Sequence, residues 1–154
     1  MESHKNQFIK YLEKNGRATA TILAYSKDLD QLIEFLATLG VTDVTTITTE
    51  NLEGFKNDLS SKQYTLKSIS RKLNSVKSLF KYLLSANIVT SSPANGVAHP
   101  KYEITPPHVL SPLEYRALRG ACRDDVRMYA IVEILLQTGL RIGELRKLKR
   151  TNLK

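Results

Sequence analysis

Apolar residues recur at steps of three and four along the first 86 residues of the chain, and this spacing predicts four amphipathic helices. The expected helices cover residues 2–14, 19–39, a segment that starts near residue 49, and 65–86. The β-branched run at residues 45–49 is also compatible with a strand. A helix start is the simpler interpretation, because Thr48 can cap a segment that carries Leu52, Phe55 and Leu59 at helical spacing.

The periodicity disappears between residues 91 and 107, which contain four prolines and one glycine. This composition predicts a linker that divides the chain near residue 100. Helical spacing returns over residues 112–121, over 124–138 and from about Leu140 onward. The first of these starts is well marked, because Ser111 can cap it, Pro112 suits the first helical position and Glu114 can reach back to the cap. We expect a mainly α fold, with domains over 1–98 and 111–154 and a linker over 99–110.

The net charge of +8 is unevenly distributed along the chain. Residues 1–58 hold six Lys/Arg against nine Asp/Glu, whereas residues 59–102 hold seven Lys/Arg and no acid. On the fourth predicted helix, Lys67, Arg71 and Lys81 fall within about 80° of one another, opposite the apolar stripe. A merely solvated helix usually interleaves both signs, so the acid-free block favours an anionic partner, of which nucleic acid is the commonest. The expected contacts with nucleic acid are Lys67, Arg71, Lys72, Lys77 and Lys81.

Several other classes of function lack a signature in the sequence. No apolar run approaches the roughly 20 residues that span a membrane, so we expect no membrane segment. The single cysteine, Cys122, cannot form an internal disulfide, which suits a reducing compartment, and we expect a cytoplasmic protein. The chain has no Gly-rich phosphate loop and no Cys/His spacing typical of metal sites, so we expect no cofactor and no metal.

The motif with the most specific chemistry lies at residues 138–150, TGLRIGELRKLKR. Its first eight residues resemble the box of the tyrosine recombinase, or phage integrase, family that carries the first catalytic arginine, written T-G-[LM]-R-[IV]-x-E-L. Other segments resemble further signatures of this family in the same order, at residues 21–29, 70–83, 87–94 and 109–114. The likeness covers nearly the whole chain, although only the arginine box is specific by itself.

The resemblance implies an N-terminal SAM-like core-binding domain of about four helices, a linker, and the first helices of a truncated mixed α/β catalytic domain. Members of this family close around duplex DNA as a C-shaped clamp, and full-length members are expected to assemble as tetramers on paired DNA sites. Cleavage needs no metal, since a tyrosine attacks the backbone phosphate and leaves a 3′-phosphotyrosyl link. By this resemblance Arg141 stabilises the charged phosphorus transition state, and Glu144 braces a neighbouring basic group.

The chain departs from the family pattern after the arginine box. The family's remaining catalytic groups are a lysine, a His-x-x-Arg pair and the nucleophilic tyrosine, and all of them follow the box. Only thirteen residues follow Arg141 here, and they contain no His, Tyr or Trp. We therefore expect a DNA-binding fragment of a recombinase that by itself does not cleave or join DNA, with apolar surface left exposed over Tyr129 to Leu136.

Two alternatives remain open at the level of sequence. One is a catalytically inactive helical module, derived from a recombinase, that binds or regulates other proteins and has no role on DNA. The other is a relative that completes its active site with residues from a second chain.

Overall fold

The computed structural model describes residues 1–103, 106–149 and 151, and within them all regular backbone is helical. This confirms the predicted mainly α fold. The described residues form seven α-helices: α1 Glu2–Lys14, α2 Thr19–Thr38, α3 Thr49–Ser61, α4 Leu66–Ser85, α5 Pro112–Ala121, α6 Val126–Thr138 and α7 Ile142–Leu145. Two 3₁₀ helices lie at Val44–Thr46 and Pro93–Gly96. None of these helices is both long and apolar enough to cross a membrane.

Local capping explains why several helices start where they do. Thr48 caps α3, with its Oγ1 accepting a hydrogen bond from the Asn51 amide at 3.3 Å. Ser111 caps α5 in the same way, and the Glu114 carboxylate accepts a hydrogen bond from the Ser111 amide at 2.8 Å. Both helix starts were predicted from the sequence and are confirmed. The β-branched run forms a short 3₁₀ turn and an extended connection to α3, so the alternative of a strand is wrong.

The chain forms two compact units, Met1–Ile104 and Thr105–Lys154. In the first unit, α4 packs against α1, α2 and α3 and supplies much of the apolar core. Fully buried side chains from the other helices surround it, among them Phe8, Leu29, Leu36 and Phe55. The finer domain bounds, 1–98, 99–110 and 111–154, stay a prediction.

Part of the proline-containing stretch belongs to the core of the first unit. Ala94 and Val97 are buried, and Thr49 Oγ1 donates a hydrogen bond to the carbonyl of Pro93 at 3.1 Å. The interpretation of residues 91–107 as a linker is therefore wrong for residues 93–97. Two buried positions on one 3₁₀ turn are too few to produce a hydrophobic period, which is why the sequence pattern does not reveal them.

His99 extends this attachment to α4. Its Nδ1 shares a hydrogen bond of 3.0 Å with Ser70 Oγ. Burial lowers the pKa of His99 below its ordinary value of 6.5, and the nearby charge of Lys77 lowers this pKa further. The folded protein therefore favours the neutral form of His99.

The second unit is held together differently. Arg119 of α5 pairs with Glu133 of α6 and also donates to the Tyr129 hydroxyl, while Gln137 donates to the Tyr115 hydroxyl. No described residue of α5, α6 or α7 is fully buried. Side-chain pairing therefore joins α5 to α6.

We expect Gly96→Ala to destabilise the first unit. An added Cβ would lie 2.9 Å from Thr49 Cγ2 and 3.2 Å from Thr49 Oγ1, and the Thr49 hydroxyl is bonded to Pro93. The overlap should lower the free energy of unfolding by about 1–3 kcal/mol in urea denaturation. Adding Thr49→Ser removes Cγ2 and should restore part of the loss. Wild-type stability of Gly96→Ala would contradict this contact.

We expect the first unit to lose stability as the pH falls below about 6.5. The unfolded chain protonates His99 near its ordinary pKa of 6.5, whereas the folded protein resists protonation until lower pH. The unfolded state therefore binds more protons in this window, and acidification favours it. Urea denaturation between pH 7.5 and 5 should show a smaller decline for His99→Gln than for the wild type. An identical decline in both proteins would exclude His99 as the cause.

Candidate nucleic-acid interface

Helix α4 presents one apolar face and one basic face. Thr65 caps its start, accepting a hydrogen bond from the Ser68 amide at 3.2 Å. Its apolar residues pack into the core of the first unit, namely Ile69, Leu73, Val76, Phe80 and Leu83. On the opposite face lies the basic stripe, which we define as Lys67, Arg71, Asn74, Ser78 and Lys81. All five are exposed or half-exposed.

The basic stripe has dimensions suited to a nucleic-acid backbone. From Lys67 to Lys81 it extends about 21 Å at 1.5 Å per residue. Measured along the axis of duplex DNA, this length covers roughly six phosphates of one strand at a rise of about 3.4 Å each. Lys77 is half-buried beside the stripe, and its charge acts on His99.

Arg71 is anchored to a buried carboxylate. Its Nη1 lies 2.5 Å from Asp28 Oδ2 and its Nη2 lies 2.9 Å from Asp28 Oδ1, which makes a two-point fork. Asp28 is only 1% exposed, whereas the Arg71 side chain is 48% exposed. The guanidinium is therefore bonded to the protein interior through Asp28, while about half of the Arg71 side chain stays exposed to solvent.

The structure corrects the expected role of Lys72. This side chain is buried, with 4% exposure, instead of lying on the basic stripe. Its ammonium donates to Asp28 Oδ1 at 3.0 Å and to Gln31 Oε1 at 2.7 Å, and it lies 4.9 Å from the centre of the Tyr64 ring. A phosphate cannot reach an ammonium that is enclosed in this way, so we withdraw Lys72 from the expected direct contacts.

A cleft next to the stripe adds a cation that sequence reasoning missed. Arg17, in the connection between α1 and α2, lines a cleft of about 470 Å³ together with Asn15, Ser78, Lys81 and Tyr82. Two cations and several hydrogen-bonding groups in one cleft can hold a phosphate. Arg17 belongs to no helical period, so only its position in the folded unit reveals this association.

The predicted arginine box forms a break between two helices. Gly139 ends α6 in the left-handed conformation at φ 66°, and Arg141 precedes the four-residue helix α7. The Arg141 side chain is 86% exposed. Glu144 contacts it twice, because one carboxylate oxygen accepts from the Arg141 amide at 2.8 Å and the other from Arg141 Nη1 at 3.2 Å. Glu144 thus orients Arg141 while most of the guanidinium stays open to solvent.

An apolar groove lies behind this box. Its volume is about 920 Å³, and α6 and α7 line it with apolar side chains that include Ile131, Ile134, Ile142 and Leu145. Within Tyr129 to Leu136, every residue except the exposed Ala130 is half-exposed and none is buried. The expected apolar surface is therefore present, although it is partly covered.

The family profile described as "Phage integrase, N-terminal SAM-like domain" matches residues 6–87, which is more than half of the chain. The chain belongs to the tyrosine recombinase, or phage integrase, family. Its first unit contains the core-binding domain of that family.

Curated relatives support this assignment. The chain is 32% identical to Tyrosine recombinase XerD of Rickettsia conorii, over 93% of this chain and 48% of that protein. It is 30% identical to Tyrosine recombinase XerC of Herpetosiphon aurantiacus, over 94% of this chain and 49% of that protein. The chain thus spans about half the length of the curated relatives it matches.

Two solved structures are also similar. The crystal structure of XerA recombinase matches with a TM-score of 0.51 and 28% identity, over 99% of this chain and 51% of that one. A lambda integrase dimer bound to a COC′ core site matches with a TM-score of 0.75 and 17% identity, over 100% of this chain and 43% of that one. At this lower identity the likeness shows the fold alone.

We expect Arg141→Ala to leave the second unit intact and Arg119→Ala to loosen it. The Arg141 pair with Glu144 is exposed and spans three residues, so it contributes at most about 1 kcal/mol. Arg119 instead joins α5 to α6 through Glu133 and Tyr129. Amide hydrogen exchange in α5 and α6 should accelerate in Arg119→Ala and match the wild type in Arg141→Ala. Faster exchange in Arg141→Ala would mean that Arg141 has a structural role.

Proposed function

We propose that this chain serves a site-specific tyrosine recombinase by binding duplex DNA through the basic stripe of α4. The observation that carries this proposal is the pairing of a fully packed apolar face with an opposite face of exposed cations on one helix. A rigid helix holds those cations at fixed spacing, so counterions are released from several phosphates in one docking event. Lys67, Arg71 and Lys81 supply the phosphate contacts, Lys77 flanks them, and Arg17 extends them into the neighbouring cleft.

The polar residues of the stripe have a separate part in this proposal. Asn74 and Ser78 lie between the cations and can donate or accept hydrogen bonds at sugar, phosphate or base edges. Phosphate contacts from cations and from such polar side chains fix the register of the protein on the duplex, whereas contacts with base edges carry sequence information. The stripe thus combines electrostatic attraction with hydrogen bonding along one line.

We assign Arg141 to the chemistry of the whole recombinase, which cuts and rejoins DNA through a 3′-phosphotyrosyl link without a metal. An exposed guanidinium can donate two hydrogen bonds to the non-bridging oxygens of the reacting phosphate and stays protonated throughout. Glu144 contacts that guanidinium through one hydrogen bond from Arg141 Nη1 at 3.2 Å and also accepts a bond from the Arg141 backbone amide. The proposed assembly is a tetramer on paired DNA sites in the cytoplasm.

A second candidate function is a helical module that binds another protein. The observation that favours it is the apolar lining of the groove between α6 and α7. Sizing of the protein with and without duplex DNA separates the two functions. A stable oligomer whose size is indifferent to DNA supports the module, whereas a DNA-dependent shift supports the recombinase.

The proposed function predicts salt-dependent binding that fails when the stripe is reversed. Lys67→Glu and Lys81→Glu should each weaken duplex binding at least tenfold and reduce the slope of log K against log salt by about one or more, since each removes a phosphate contact. Titration at several salt concentrations by fluorescence anisotropy measures both quantities. The matched control is Lys10→Glu, because Lys10 is exposed on α1 and does not line the cleft beside the stripe. Equal losses in all three variants would show that net charge, and not the stripe, governs binding.

A further inference from the structure

The three charged groups of the cluster around Asp28 differ in their exposure to solvent. The two oxygens of one carboxylate accept hydrogen bonds from both Nη atoms of Arg71 and from Lys72 Nζ. Asp28 and Lys72 are enclosed by the protein, whereas half of the Arg71 side chain faces solvent. Two cations therefore share one acid, and the accessible part of the cluster is a guanidinium.

Lys72 supplies a second positive charge to the carboxylate that Arg71 contacts. Its ammonium compensates the buried carboxylate at 3.0 Å, and Gln31 and Tyr64 complete its surroundings. The cluster as a whole keeps one formal positive charge, and Arg71 is its solvent-exposed cation. An isolated Asp–Arg pair would be neutral and would attract a phosphate only weakly.

The fork with Asp28 also leaves Arg71 able to bind a ligand. A guanidinium carries five N–H donors, and the fork uses two of them. The remaining three are not used by the fork, and the side chain that carries them is about half exposed and is held by its two bonds to Asp28. A donor that is already oriented loses less conformational entropy when it binds, which strengthens binding.

We propose that Asp28 is a positioning residue for DNA binding. Its carboxylate holds the Arg71 guanidinium on the basic stripe, and Lys72 compensates the charge of that carboxylate. The proposal rests on the proposed function, since it names how one phosphate contact of the stripe is built. Asp28 does not touch DNA itself. Lys72 acts through Asp28 and not on the phosphate directly.

The positioning role of Asp28 and simple electrostatics predict opposite changes in DNA affinity when the carboxylate is removed. Removing an acid near a DNA-binding surface ordinarily strengthens binding, because the net positive charge increases. If Asp28 positions Arg71, its removal weakens binding in spite of the added charge. A purely structural tie between α2 and α4 predicts no change in affinity for any variant that stays folded.

The principal test is the double variant Asp28→Asn/Lys72→Met, measured by titration of duplex DNA at several salt concentrations. It removes both buried charges, keeps the net charge and approximates the side-chain volumes, so that no buried charge is left unpaired. We expect about a tenfold loss of affinity, equal to that of Arg71→Ala. Adding Arg71→Ala to the double variant should then cost nothing more. Wild-type affinity of the double variant, or a full further loss on adding Arg71→Ala, overturns the proposal.

A second variant keeps the test decisive if the double variant does not fold. Arg71→Lys preserves the charge at a half-exposed position, but an ammonium cannot hold the fork with Asp28 and also present oriented donors. We expect it to lose about as much affinity as Arg71→Ala, with unchanged circular dichroism. Wild-type affinity of Arg71→Lys overturns the proposal by itself.

The controls separate this proposal from the proposed function. Lys67→Glu tests the stripe without touching the cluster. If Lys67→Glu weakens binding while Arg71→Lys and the double variant bind normally, the stripe binds DNA and the positioning role of Asp28 is wrong. If the wild type shows no salt-dependent binding to duplex DNA, the proposed function itself is wrong.

Discussion

The burial of a single carboxylate constrains how the first unit packs. Removing Asp28 from water costs several kcal/mol unless opposite charges and hydrogen bonds compensate it. Two consecutive residues of α4 do so, and because neighbours on a helix point about 100° apart, they reach Asp28 from different sides. Arg71 approaches from the solvent side and Lys72 from the interior. Sliding or rotating α4 against α2 would leave the carboxylate uncompensated, so this interaction fixes the register of the two helices.

That register determines which way the basic stripe points. The apolar face of α4 is packed into the core, so the core and the Asp28 cluster together set the direction of the opposite face. The second unit contrasts with this arrangement, since side-chain pairs join α5 to α6 and the Arg141 side chain of its arginine box is exposed. Arg71 of the stripe is thus held by a buried carboxylate, whereas the Arg141 side chain bonds to the exposed carboxylate of Glu144.

Most of the secondary structure could be predicted because its causes are local. Steps of three and four place apolar residues on one side of a helix, and a hydroxyl cap such as Thr48 or Ser111 marks where a helix starts. The same periodicity revealed the exposed cations of α4, since charges opposite an apolar stripe face solvent. The arginine box could be recognised because its residues are contiguous. The packed turn at residues 93–97 escaped prediction, because only Ala94 and Val97 contact the core there.

The sequence by itself therefore determined the helices, their caps, the segregation of charge and the family resemblance, all of which depend on residues that are close along the chain. Tertiary structure alone decided which cations are exposed and which of them lie together. It buried Lys72 against Asp28, forty-four residues away, and it brought Arg17 from a connecting segment to the cleft of Lys81. These outcomes depend on how whole helices dock, and docking is set by the combined burial of many side chains, which no short pattern in the sequence encodes.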